Sequence, residues 1–126
     1  MKRPMVLIVD DDRQLTALVQ AFLQGAGVAS ETAFDPVQAF IKARREPPRV
    51  ILLDLAMPAG GGMMLLERLK KTGGTREIPV IVMTALTEPQ IEAEARAKGA
   101  SAFLHKPLDR SSLISAIAAA LKPLQT

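Results

Sequence analysis

The chain predicts an α/β fold built on a parallel sheet. Three observations carry that expectation. Short apolar runs alternate with segments of helical periodicity along the whole length. Most runs are continuously apolar rather than alternating, the pattern of strands buried on both faces. Each run is separated from the next by enough chain for a crossover helix.

The elements follow in order. Strand one is Met5-Val6-Leu7-Ile8-Val9, and it runs into Asp10-Asp11-Asp12. Helix one carries Leu15, Leu18, Val19, Phe22 and Leu23 at three- and four-residue steps and ends at Gly25 and Gly27. Strand two, Val28 to Phe34, is weak and polar, which assigns it to a sheet edge. Helix two opens at Asp35-Pro36, an N-cap with proline in the first turn, and ends before Pro47-Pro48. Strand three is Val50-Ile51-Leu52-Leu53, stopping at Asp54. A loop rich in proline and glycine, Leu55 to Gly62, leads to helix three, about Met63 to Lys71, which ends near Gly73-Gly74. Strand four is Val80-Ile81-Val82-Met83, stopping at Thr84. Helix four begins near Thr87-Glu88-Pro89 and stops at Gly99. Strand five, Ser101-Ala102-Phe103-Leu104, leads past His105 to Lys106-Pro107. Helix five starts around Asp109, with Leu113, Ile114, Ile117 and Leu121 on one face.

With 126 residues the chain is expected to be one domain. Its 48% hydrophobic and 23% charged residues are those of an ordinary globule. No apolar stretch has membrane-spanning length, no secretory signal precedes strand one, and there is no cysteine for disulfides or thiolate sites. A cytoplasmic protein is the expectation. The net charge of +3 is scattered, and only 3% of residues are aromatic, all Phe. Without a dense basic patch or stacking rings, direct nucleic-acid binding is not expected.

The strand ends carry the chemistry. In an open α/β sheet the carboxyl ends of the strands face one crevice, where ligands bind. Asp10 and Asp11, side by side there, repel each other, and a hard divalent cation would relieve that repulsion. Capping helix one needs one aspartate, not three, and Asp12 is the best placed for it. Asp54 beside a cation is a carboxylate able to attack a phosphoryl group. The Thr84 hydroxyl is a candidate donor to a phosphoryl oxygen. Lys106 is expected to pair with Asp54 and later with the phosphoryl oxygens. Pro107 fixes a turn and permits a cis bond. His105, the single histidine, reads as a solvated strand-end residue.

These residues as a set resemble the receiver domain of two-component response regulators. The matching pieces are Val9-Asp10-Asp11-Asp12, Leu53-Asp54-Leu55-Ala56-Met57-Pro58, Val82-Met83-Thr84-Ala85 and Lys98 through Pro107. The resemblance covers almost all of residues 1–126, with a core of about 4–122. It implies a flavodoxin-like sheet of order 2-1-3-4-5 with five helices. It makes Asp54 the acceptor of a phosphoryl group from a histidine kinase or phosphotransfer protein. It makes Asp11 and Asp54 direct Mg²⁺ ligands with the Ala56 carbonyl, and has Asp10 act mostly through water. Thr84 and Lys106 would contact the phosphoryl group, with the Ala85 amide adding a hydrogen bond. Phe103 matches the aromatic switch position, without the hydroxyl of the tyrosine often found there. The implied readout surface is helix four, strand five and helix five, which would control an output and is also compatible with a homodimer. Such a module is a switch, not an enzyme in the ordinary sense.

The segment Pro58-Ala59-Gly60-Gly61-Gly62 departs from the family by lacking an Asp before its last glycine, and a more mobile loop is expected. Ala56 and Leu86, two residues after Asp54 and Thr84, cannot orient water through their side chains, so slow loss of the phosphoryl group is expected. Two rivals stand beside this reading. A haloacid-dehalogenase-like phosphatase would use Asp10 as nucleophile and Asp12 as acid, but leaves Asp54 without a role. A non-phosphorylated scaffold would keep the fold and bind partners constitutively.

Overall fold

A computed structural model describes residues 5–121, so the expected limits of the core at 4 and 122 lie outside the described residues. Five parallel strands, β1 (Val6–Val9), β2 (Ser30–Ala33), β3 (Val50–Asp54), β4 (Val80–Thr84) and β5 (Ala102–His105), form one sheet in the order β2-β1-β3-β4-β5. The connecting helices are α1 (Arg13–Gly25), α2 (Pro36–Arg45), α3 (Gly61–Lys71), α4 (Pro89–Ala97) and α5 (Arg110–Leu121). This is the doubly wound, flavodoxin-like arrangement that the strand-helix alternation and the motif resemblance imply.

Alternation along the strands sorts the core into two layers. Val6, Ile8, Val50, Leu52, Ile81 and Met83 face α1 and α5, where Val19, Leu23, Leu113 and Ile117 meet them. Leu7, Val9, Ile51, Leu53, Val80 and Val82 face the other side, against Phe40, Leu65, Leu66, Leu69 and Ala95 of α2, α3 and α4. Each fully buried Leu or Ile contributes about 1.5–3 kcal/mol relative to exposure. β1, β3 and β4 are interior strands with every residue buried, which is why they read as unbroken apolar runs. β2 is an edge strand, half-buried and polar, as its composition suggests. Lys42 Nζ donates to the Thr32 carbonyl there at 2.7 Å and pairs with Glu31 at 3.1 Å.

The caps decide where the strand ends point. Asp12 caps α1, its Oδ1 accepting from the amides of Gln14 and Leu15 at 3.0 and 3.1 Å. Asp35 caps α2 by accepting from the Gln38 amide at 2.7 Å. The stretch after Asp54 is more ordered in its turns than a plain loop from Leu55 to Gly62. Pro58–Gly60 forms a 3-10 turn, and α3 starts at Gly61, two residues earlier than the sequence suggests. Three successive glycines look like a breaker, but the positions of Gly60 and Gly62 explain those two. Gly60 sits at φ 71°, the left-handed cap position. At Gly62 a Cβ would lie 2.4 Å from the Asp54 carbonyl oxygen and 2.6 Å from Leu55 Cα. The missing side chain lets α3 press directly on the backbone that presents Asp54.

Candidate functional site: a carboxylate and lysine cluster at the strand ends

β1 and β3 are neighbours in register, with Val9 opposite Leu53, so the residues that follow lie side by side. Asp10, Asp11 and Asp54 each offer a carboxylate oxygen, and these oxygens all lie within 4.8 Å of one another. Asp10 is wholly buried, Asp54 is nearly so, and Asp11 is exposed. Lys106 directly follows β5, before a cis bond to Pro107, and its side chain reaches back across the crevice. Its ammonium meets Asp54 Oδ2 at 3.4 Å, as expected, and Asp10 Oδ2 more closely at 2.7 Å. That second contact joins chain segments too distant for sequence patterning to connect.

Asp10 and Asp54 are each also held by a backbone amide. Asp12 N donates to Asp10 Oδ1 and Ala56 N donates to Asp54 Oδ1, both at 3.0 Å. These short-range bonds fix the rotamers and leave the second oxygens facing Lys106. Burial pushes the Asp54 carboxyl above the ordinary carboxylate range; the Asp10 charge adds to this, while the Ala56 amide and Lys106 partly oppose it. Burial works against the Lys106 ammonium. The hydrogen bond to Asp10 and the charges of Asp54 and Asp10 outweigh it and hold its pKa above that of an ordinary lysine.

Thr84 closes the cluster at the end of β4 and is wholly buried. Its Oγ1 accepts from the Leu86 amide at 3.1 Å, and a hydroxyl that accepts keeps its proton for another acceptor. Phe103 is half-buried and packs against the layer that holds Val82, its register partner across β4 and β5. Thr84 lies on that same face by strand alternation. His105 is exposed, with its ring edge-to-face against Phe103 at 5.2 Å. Asp12 is exposed and its Oδ1 is taken up by the α1 amides, so it is a capping residue rather than an acid aimed into the crevice.

The three carboxylates are all-oxygen donors, the set that hard divalent cations such as Mg²⁺ and Ca²⁺ take. Together with a hydroxyl and an ammonium they make an acidic pocket that fits phosphoryl-transfer chemistry. A parallel α/β sheet that holds this pocket at its carboxyl edge places the chain in the class of phosphoryl-accepting α/β proteins.

The comparisons with known proteins agree. The response regulator receiver domain model matches residues 6–118. RpaA of Synechocystis sp., a "DNA-binding dual master transcriptional regulator", is 33% identical over 94% of this chain and 49% of its own length. The response regulator PleD of Caulobacter vibrioides is 36% identical over 89% of this chain and 25% of its own. Among solved structures, chemotaxis protein CheY4 of Vibrio cholerae superposes with a TM-score of 0.87 at 30% identity, covering 95% of this chain and all of that one. The receiver domain of the Francisella response regulator 1452 superposes with a TM-score of 0.86 at 28% identity, covering 94% and 96%. This chain belongs to the response regulator receiver domain family: it is a phospho-acceptor switch module of two-component signalling. Receivers of this family interact with histidine kinases or phosphotransfer proteins. The chain spans half or less of the length of RpaA and PleD. No helix among the described residues is long and apolar enough to cross a membrane.

Proposed function

We propose that Asp54 is the residue that takes the phosphoryl group. The observation that carries this is its position. It is itself the last residue of interior strand β3, whereas Asp10 lies one residue beyond β1; it stands among the carboxylates of Asp10 and Asp11, and its Oδ2 is held less tightly by the Lys106 ammonium, at 3.4 Å, than that of Asp10, at 2.7 Å. In the transfer, an Asp54 carboxylate oxygen bonds to phosphorus as the P–N bond of a phosphohistidine breaks, and the leaving imidazole takes up a proton. Asp11, Asp54 and the Ala56 carbonyl would hold Mg²⁺, with Asp10 acting mostly through water. When bound, the ion supplies charge neutralisation for the transferring oxygens.

The side chains of this chain do the rest. Lys106 keeps a positive charge at neutral pH because the two buried carboxylates hold its proton, and it is poised to follow the phosphoryl oxygens. Asp10 anchors the same Lys106 ammonium at 2.7 Å. The buried Thr84 hydroxyl donates to a phosphoryl oxygen, supported by the Ala85 amide. Phosphorylation adds roughly −1.5 to −2 charge at neutral pH. Drawing Thr84 inward moves the Thr84–Leu86 segment, and Phe103, on the same sheet face, follows into the space released. The altered surface is α4, β5 and α5, which would control an output and is where a homodimer would form. A cytoplasmic site of action goes with this reading.

Beryllofluoride with Mg²⁺ mimics the phosphoryl group and tests it by NMR. Amide shifts are expected first at Asp11, Asp54–Ala56, Thr84–Leu86 and Lys106, and then along α4, β5 and α5. Shifts absent at Asp54 and Thr84 would overturn the assignment. Shifts confined to the pocket would overturn the switch alone.

A further inference from the structure

The face made by α2 and α3 is apolar where water should cover it. Val37, Ile41 and Met64 are 65%, 53% and 67% exposed, three of the four large hydrophobic residues so exposed among the described residues. Between the two helices runs a groove of about 610 Å³, lined by Pro36, Val37, Pro58, Met64 and Leu65. Its apolar walls suit inserted side chains, and methionine at the lip adapts to varied partners.

The rim of this groove has a cationic excess, with Arg68 and Lys71 set against Glu67. Arg68 and Lys71 border it, and Arg45 borders the adjoining depression beside Ile41. Lys71 is already paired with Glu67. Arg44, Arg45 and Arg68 have no salt-bridge partner among the described residues. The Arg68 and Arg44 guanidinium groups lie over the Phe40 ring, 3.8 and 5.9 Å from its centroid. Stacking there pre-organises the forks while leaving their N–H groups for carboxylates. Cations near helix C-termini offset the helix dipole, which accounts for part of this charge. It does not account for exposed Val37, Ile41 and Met64 beside them.

We propose that the α2–α3 face docks an amphipathic helix of a partner protein. Its apolar side chains enter the groove past Val37 and Met64, and its Asp and Glu residues pair with Arg45 and Arg68. Charge complementarity selects this occupant. A second copy is a poor fit: α4, with Glu92 and Glu94, carries no exposed large apolar residue, and Leu18, the other large apolar residue so exposed among the described residues, lies on α1, which has no Asp or Glu. The inference does not depend on which aspartate is phosphorylated.

The test uses the isotope-labelled full chain and two synthetic helical peptides. Both carry Leu and Met at positions i, i+3, i+4 and i+7; one carries Glu on its remaining face, the other Lys. The Glu peptide is expected to bind saturably, shifting the amides of Val37, Ile41, Met64 and Arg68, while the Lys peptide does not. The double variant Arg45→Glu/Arg68→Glu should bind the Glu peptide at least about tenfold more weakly and take the Lys peptide instead. Met64→Asp should weaken binding of the Glu peptide. These residues are exposed, so urea midpoints close to the parent's will show that the variants fold. No saturable binding, equal binding of both peptides, or shifts centred elsewhere would overturn the proposal. So would a dimer in sedimentation that Met64→Asp abolishes, or binding to anionic vesicles without binding to the Glu peptide.

Discussion

Gly62→Ala tests how the acceptor strand end is held. The added Cβ would stand 2.4 Å from the Asp54 carbonyl oxygen, 2.6 Å from Leu55 Cα and 2.9 Å from the Leu55 carbonyl oxygen. All three are backbone atoms, so no side chain can swing aside. Restoring ordinary contact requires α3 and the end of β3 to part by roughly 1 Å. Overpacking of this kind costs about 1–3 kcal/mol, and the better helix propensity of alanine returns about 0.5–1 kcal/mol. A net loss of about 1–2 kcal/mol is expected. Gly73→Ala is the control, because nothing lies within 4 Å of its Cβ position and its φ is not positive. That change should fall within about 0.5 kcal/mol of the parent. Urea unfolding of the three proteins, with m-values compared, measures the difference. Gly62→Ala matching Gly73→Ala in stability would refute the claim that α3 rests on the Asp54 backbone.

Three further predictions follow from the pocket. Burial and the Asp10 charge raise the Asp54 pKa above 3.8 in the folded state, so its contribution to stability is present below that value and lost as pH rises through the folded pKa. Metal-free Asp54→Asn should therefore gain stability relative to the parent as pH rises from about 3.5 to 7; urea midpoints that converge over this range would contradict the sign. Lys106→Ala leaves the carboxylates of Asp10 and Asp54 uncompensated and should cost about 3 kcal/mol in the metal-free protein, a gap that Mg²⁺ narrows; thermal melts with and without Mg²⁺ that show a constant gap would contradict it. Asp12→Ala removes the α1 cap and should cost about 1 kcal/mol while leaving phosphoryl acceptance intact; loss of labelling in a folded variant would restore Asp12 to the chemistry.

Much of this was legible in the chain because interior strands leave a plain signal. β1, β3 and β4 are buried on both faces, so their runs are unbroken and end at Asp10, Asp54 and Thr84. Capping by Asp12 and Asp35 was legible because those bonds span only two or three residues. The strand order came from the motif resemblance, since run spacing alone does not order a sheet. The Lys106–Asp10 contact was not legible, because it depends on how far a long side chain crosses neighbouring strand ends. The start of α3 at Gly61 was missed for a related reason. Glycine normally argues against helix, and only the tertiary contact at Gly62 shows why it is needed there. The α2–α3 groove was also hidden, because Val37, Ile41 and Met64 look like core residues until their exposure is seen.

The central claim is that Asp54 accepts the phosphoryl group with the help of the carboxylate cluster. Incubating the protein with acetyl phosphate and Mg²⁺, trapping the product by borohydride reduction and mapping it by mass spectrometry tests this most directly. The account predicts one phosphoryl group per chain, on Asp54, absent when Mg²⁺ is chelated and absent in Asp54→Asn. A phosphoryl group mapped to Asp10, or full labelling of folded Asp54→Asn, would contradict it.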